Sequence, residues 1–231
     1  MFWQNKEMID ITNSQTEDIW YTVGLITTDG NLSISGRHIS ITSKDIHLLS
    51  SVKYALGITN KISMKANAIN PTEKIYGVLQ ICSKNFYDFL VGVGMTPCKS
   101  LTLGSLAIPR RYFRDFLRGV IDGDGCIRRW IHPTNLHEQW STRIYSGSKS
   151  FIYWLNSRIF DELKVTGKIY GRKPANRENF IYQIKYGKMA TIALIDIIYY
   201  PSCLCLKRKQ RLVARCVKPS ESIRAYTSRI A

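Results

Sequence analysis

Apolar residues recur at helical spacing in two regions of this chain that look alike. Ile19, Val23 and Ile26 fall on one helical face, and Phe113, Phe116, Leu117, Val120 and Ile121 repeat at i, i+3, i+4, i+7 and i+8. Ser14, with Glu17 three residues on, reads as a capping box that starts the first helix. Each helical pattern ends in a glycine–aspartate motif, VGLITTDGNL (23–32) and RGVIDGDGCI (118–127). The two align without gaps and set Asp29 and Asp124 95 residues apart.

The flanks repeat as well. Period-two alternation follows each motif, in NLSISGRHISIT (31–42) around a Ser35–Gly36 turn and in CIRRWIHPTNLHEQWSTRIYS (126–146) around a longer loop. Amphipathic helices come next, SKDIHLLSSVKYAL (43–56) and SKSFIYWLNSRIFDEL (148–163), followed by basic hairpins over 60–81 and 167–186. Closing helices over 83–95 and 187–200 precede the short segments PCKSLTL (97–103) and CLCLKRKQ (203–210). The pattern predicts an α+β chain of two pseudo-symmetric αββαββα repeats with antiparallel sheets. The first repeat spans 14–103, a linker 104–112, the second repeat 113–215 and a basic tail 216–231.

Charge then narrows the partner. Lys and Arg number 33 against 17 Asp and Glu, a net charge of +16, spread along the chain, which favours a polyanion such as nucleic acid. A basic ribosome-associated protein fits the charge but leaves the paired motif unexplained. No apolar run reaches membrane-spanning length; the longest, ATIALIDIIYY (190–200), contains Asp196. No signal-peptide pattern opens the chain, so the expectation is an intracellular protein of a bacterial cytoplasm or an organelle. Six scattered cysteines contain no C-x-x-C, and His132 and His137 form no ligand set with them, which argues against a zinc site or a disulfide scaffold.

The motif carries the chemistry. Gly24 and Thr28, like Gly119 and Gly123, lie one helical turn apart and form small-residue stripes. The two motif helices are expected to pack on each other about a pseudo-two-fold axis. Asp29 and Asp124 then fall in the last turns, where the helix dipole disfavours a carboxylate, and Gly30 and Gly125 are expected to supply left-handed stops. Two acids brought together at such ends make sense around divalent cations. Asp122 has Thr27 at the matching position and reads as structural. A calcium loop starting at Asp122 fails on Cys126 and Pro133.

TVGLITTDG (22–30) and LRGVIDGDG (117–125), each followed by two basic hairpins, resemble the motifs of the LAGLIDADG homing endonucleases in their single-chain form. The resemblance covers about residues 14–215. The first motif departs from the family pattern at Thr27 and Thr28. The resemblance implies site-specific cleavage of double-stranded DNA across the minor groove, by a monomer, at a long asymmetric target, with intron encoding expected. It implies Mg2+, with Mn2+ as a substitute, held by Asp29 and Asp124 with the carbonyls of Thr28 and Gly123. It also implies a lysine near each centre, Lys99 and Lys207, with Lys209 competing for the second place.

The family's sheets form a saddle over DNA. On that basis the base-facing residues are Ser33, Ser35, Arg37, His38, Ser40, Thr42, Lys61, Ser63, Lys65, Tyr76 and Gln80 in the first half. In the second they are Arg128, Trp130, His132, Arg143, Tyr145, Lys168, Tyr170, Arg172, Asn179 and Gln183. Ile39, Ile41, Ile144 and Ile184 are the buried alternates. The alternative function is a non-cleaving nucleic-acid binder on the same scaffold, an intron RNA maturase or a regulator.

Overall fold

A computed structural model describes residues 15–66, 75–175 and 178–216. The first half runs α1 (Glu17–Asp29), β1 (Gly30–Leu32), β2 (His38–Ser43), α2 (Ile46–Ala55), β3 (Ile62–Ala66), β4 (Ile75–Cys82) and α3 (Lys84–Val93). The second repeats this order as α4 (Phe113–Asp124), β5 (Gly125–Ile131), β6 (Glu138–Ser146), α5 (Lys149–Leu163), β7 (Lys168–Arg172), β8 (Ile181–Tyr186) and α6 (Lys188–Ile198). A short helix absent from the first half, α7 (Lys207–Val213), closes the described chain. Each half has a four-stranded antiparallel sheet, in the orders β1-β2-β4-β3 and β5-β6-β8-β7. Among the described residues no helix is long and apolar enough to cross a membrane.

Local chemistry starts these elements. Thr16 caps α1 by accepting from the Ile19 amide at 3.3 Å, whereas Ser14 of the expected capping box lies outside the described residues. Asp45, Ser83 and Ser148 cap α2, α3 and α5 in the same way. Ser35 and Gly36 do turn the first hairpin, with Gly36 at φ +72°. One face of each sheet carries the apolar set under the helices: Ile39, Ile41, Leu79 and Ile81 in one, Ile144, Ile184 and Tyr186 in the other.

The halves meet through α1 and α4, which join one core. A Cβ on Gly24 would strike the Phe116 carbonyl oxygen and stand 3.0 Å from the Val120 nitrogen. A Cβ on Gly119 would strike the Tyr21 carbonyl and stand 2.8 Å from the Leu25 nitrogen. The two backbones therefore touch, as the small-residue stripes predicted. Thr28 does not loosen the contact: its side chain fills the space that a Cβ on Gly123 would take, 2.8 Å from the Thr28 Cβ.

Gly30 and Gly125 are not left-handed stops. Their φ,ψ values of −99°,158° and −82°,150° are extended, and each helix passes directly into a strand. Glycine is required for space: a Cβ on Gly30 would lie 2.6 Å from Ile26 Cα, and one on Gly125 2.7 Å from Ile121 Cα.

The backbone contact sets a prediction. Gly119→Ala, which forces α1 from α4, lowers unfolding free energy by about 1–3 kcal/mol in urea denaturation. Gly92→Ala, in α3 with nothing within 4 Å of the new methyl, raises it by about 0.5–1 kcal/mol.

Candidate active site and nucleic-acid interface

Close packing of α1 on α4 carries their C-terminal ends, and so Asp29 and Asp124, to one place. The Asp29 Oδ2 atom lies 3.2 Å from where a Gly123 Cβ would stand. Both side chains reach solvent. Among the described residues neither carboxylate accepts a hydrogen bond or forms an ion pair. Partial burial in the crevice, then repulsion from Asp124, push the Asp29 pKa from 3.8 up to about 6, while Lys209, Lys99 and Arg208 pull it back. Burial likewise raises Asp124, against the pull of Lys209 and Lys99.

Two buried lysines hold these helix ends. Lys99, 6% exposed, donates to the Gly30 carbonyl. Lys209, 4% exposed, donates to the Gly125 carbonyl at 2.7 Å, to Asp122 O at 3.0 Å and to Ile121 O. The shared bond to the motif glycine makes Lys209, and not Lys207, the counterpart of Lys99. Lys207 stands exposed on α7, 3.4 Å from Gln210 Oε1. An ammonium among carbonyls at a helix C-terminus satisfies orphaned acceptors and offsets the dipole. Burial lowers the Lys99 pKa and lowers Lys209 to about 8, and the nearby carboxylates oppose both shifts.

Asp122 has the structural place expected of it. It is 2% exposed and accepts from Tyr21 Oη at 2.9 Å, Tyr199 Oη at 2.6 Å and the Leu206 amide at 2.7 Å. Thr27, its counterpart, bonds back to the Val23 carbonyl at 2.8 Å. Beside Asp122, wholly buried Arg118 pairs with Asp115 at 2.8 Å and donates to the Leu204 and Ile198 carbonyls. Nothing in the local pattern around Arg118 singled it out.

Strand register places most of the expected interface residues on the face away from the core. Ser40 pairs with Gln80 and Lys65 with Tyr76, and His38, Thr42 and Ser63 share their face. In the second sheet Arg128, Trp130, Arg143, Tyr145, Lys168, Tyr170, Arg172 and Gln183 share one face. Ser33, Ser35 and Arg37 sit in the first hairpin's turn, Lys61 just before β3, His132 in the β5–β6 loop and Asn179 before β8. The register adds residues the alternation did not single out: Asn31 opposite Ser40, Gln139 opposite Trp130, and Lys185 opposite Arg143 and Lys168. Asn31 was missed because β1 is only three residues long.

The donors suit a hard cation. Among the described residues no three His, Cys, Asp or Glu side chains cluster as a metal site. A metal here would draw on the two unpaired aspartates, main-chain carbonyls, water and bound phosphate oxygens, an all-oxygen set matching Mg2+.

No protein-family model matches the chain, nor does any curated protein sequence. Solved structures do, and the chain has the two-repeat LAGLIDADG fold. The homing endonuclease I-WcaI, bound to its DNA recognition sequence, is 12% identical over 90% of this chain and 94% of its own, with a TM-score of 0.59. I-DmoI in complex with DNA and Ca is 16% identical over 87% of this chain and 98% of its own, with a TM-score of 0.55. I-DmoI variants or complexes have also been solved with target DNA and Mg and with DNA and Mn. Full-length DUF199/WhiA from Thermatoga maritima is 14% identical over 94% of this chain and 67% of its own, with a TM-score of 0.54. At these identities the likeness establishes the fold, and function rests on the site.

The raised Asp29 pKa has a signed consequence. Between pH 3.8 and about 6 the folded chain holds a proton that the unfolded chain has lost, so this group makes stability fall as pH rises through that window. Asp29→Asn, which mimics the protonated form, melts higher than the parent at pH 7 in EDTA, and the gain shrinks toward pH 4. Equal melting temperatures across that range would show that the Asp29 carboxylate carries no cost in the folded chain.

Proposed function

We propose that this chain is a site-specific double-stranded DNA endonuclease, a monomer encoded within an intron, that hydrolyses one phosphodiester in each strand of a long asymmetric target. The observation that carries the reading is the juxtaposition, at the touching ends of α1 and α4, of two solvent-reaching aspartates that have no hydrogen-bond or ion-pair partner among the described residues. Each motif helix leads directly into a sheet whose outer face bears basic, amide and aromatic side chains. Structural acids at such dipole-opposed ends would be satisfied by hydrogen-bond donors, as Asp122 is.

Asp29 and Asp124, with the carbonyls of Thr28 and Gly123, would hold divalent ions, Mg2+ or Mn2+ in its place. When bound, these supply Lewis acidity toward phosphorus-bound oxygens and acidify a water. Lys99 and Lys209 fix the helix ends and hold positive charge beside both acids, which offsets their mutual repulsion. Lys209 uses bonds to three carbonyls, so it acts through the field it sets up rather than by reaching substrate. Lys207, exposed on α7 and tied only to Gln210 of the same helix among the described residues, is placed to contact the DNA backbone. On the sheets, Arg and Lys side chains match guanine edges, and Asn31, Asn179, Gln80 and Gln183 match adenine.

The fold's occurrence in WhiA, a structure not described as an endonuclease, favours a second reading, a non-cleaving nucleic-acid binder such as an intron RNA maturase or regulator. Both acids are dispensable in that case.

A randomised duplex library selected on the protein in Ca2+ supplies the target, and a plasmid bearing it is incubated with Mg2+. Asp124→Asn or Asp29→Asn cuts slower by about a hundredfold or more, with binding preserved. Tight target binding without cleavage by the parent chain, or RNA binding that survives Asp29→Ala while no DNA is cut, would select the second reading.

A further inference from the structure

The two centres are equivalent in backbone and unequal in charge. Each acid lies in a cleft built from its own half's sheet and from the segment that follows the last repeat helix of the other half. The Asp29 cleft, about 950 Å3, is lined by Lys44, Asp45 and Tyr76 of the first half and by Asp122, Leu206 and Arg208 of the second; Asp45 is engaged as the cap of α2 and Asp122 is buried in its own hydrogen bonds. The Asp124 cleft, about 510 Å3, is lined by Gly147 and Glu178 of the second half and by Ser100 of the first.

Shared hydrogen bonds establish which positions correspond. Ser43 accepts from the Asp45 amide at 3.1 Å and Ser146 from the Ser148 amide at 3.1 Å, so Lys44 corresponds to Gly147. Lys99 and Lys209 bond equivalent glycine carbonyls, so Arg208 corresponds to Cys98. The positions of the two cations beside Asp29 are thus held by uncharged Gly147 and Cys98 at the other centre, and the Asp124 cleft is lined by Glu178 instead. Arg208 is exposed and, among the described residues, forms no hydrogen bond or ion pair. Lys44 lies 5.4 Å from the Tyr76 ring centre, which holds it over the cleft.

A free guanidinium and an ammonium flanking an unpaired carboxylate make a phosphate clamp, because the guanidinium fork matches two phosphate oxygens. We propose that Arg208 and Lys44 grip the backbone phosphate of the strand lying at Asp29, and that this strand is therefore cut first. The inference rests on the endonuclease reading and adds an order to it. At each centre one water adds to phosphorus and one ester P–O bond breaks. The water's proton ends on the departing sugar oxygen, leaving a terminal phosphate and a hydroxyl. Arg208 and Lys44 position the phosphate for this step and exchange no proton.

The test uses a duplex carrying the selected target, with each strand labelled separately, cut under single-turnover conditions in Mg2+. The parent chain cuts one strand ahead of the other, and on a supercoiled plasmid nicked circles accumulate before linear product. Arg208→Ala slows the leading strand by about tenfold, leaves the lagging strand within about twofold and shrinks the nicked pool. Lys44→Ala acts in the same direction, and Arg208→Lys restores most of the lead. If the parent cuts both strands and Arg208→Ala slows them equally or not at all, the ordering is wrong while the endonuclease reading stands. If the parent cuts neither strand, the endonuclease reading fails and the ordering with it.

Discussion

Everything distinctive in this molecule hangs on the backbone contact between α1 and α4. Gly24 and Gly119 let main chain meet main chain, and no side chain stands between the halves at that point. Because the approach is close, the helices end side by side, and whatever occupies their last turns is brought together. The sheets grow out of the same ends without a loop, through Gly30 and Gly125. One steric fact therefore positions the acids and the starts of both sheets.

Electrostatics opposes that arrangement and is answered locally. A carboxylate at a helix C-terminus faces carbonyl dipoles, and here two carboxylates also face each other. The buried lysines are the answer, one per half, each inserted from a segment distant in sequence. The halves secure those segments differently. In the second, Asp122 takes the Leu206 amide and Arg118 takes the carbonyls of Leu204 and Ile198, so a buried polar network ties residues 198–206 to α4. Tyr200 joins through Asp115 at 2.6 Å. In the first half, Thr27 holds only its own helix. A buried polar network of directional bonds fixes one arrangement more narrowly than apolar packing does, although Asp115 Oδ2 and Arg118 Nη2 find no hydrogen-bond partner in it.

The repeat made the architecture legible in the sequence, since the same order of helical and alternating patterns occurs twice, and it separated Asp124 from Asp122. What escaped had physical reasons. A glycine after a helix signals either a positive φ or a lack of room, and the letter alone does not say which; at Gly30 and Gly125 it is room. The second lysine was ambiguous between 207 and 209 because α7 has no counterpart in the first half, so spacing did not transfer. Arg118 and the partners of Asp122 escaped because they are joined across 77 to 101 residues. Strand faces were mostly readable because alternation and burial agree, except at β1, too short to show a period.

Thr28 against Gly123 gives the interface a handedness. The threonine occupies the volume that a side chain at 123 would need, so bump and hollow are divided between the halves. Two first halves set face to face would bring bump against bump, and two second halves would leave a void. The motif helices thus act as a keyed joint that accepts only its opposite. With the fit between the halves held by this joint, each half can differ in charge and in the outer face of its sheet without loosening the other.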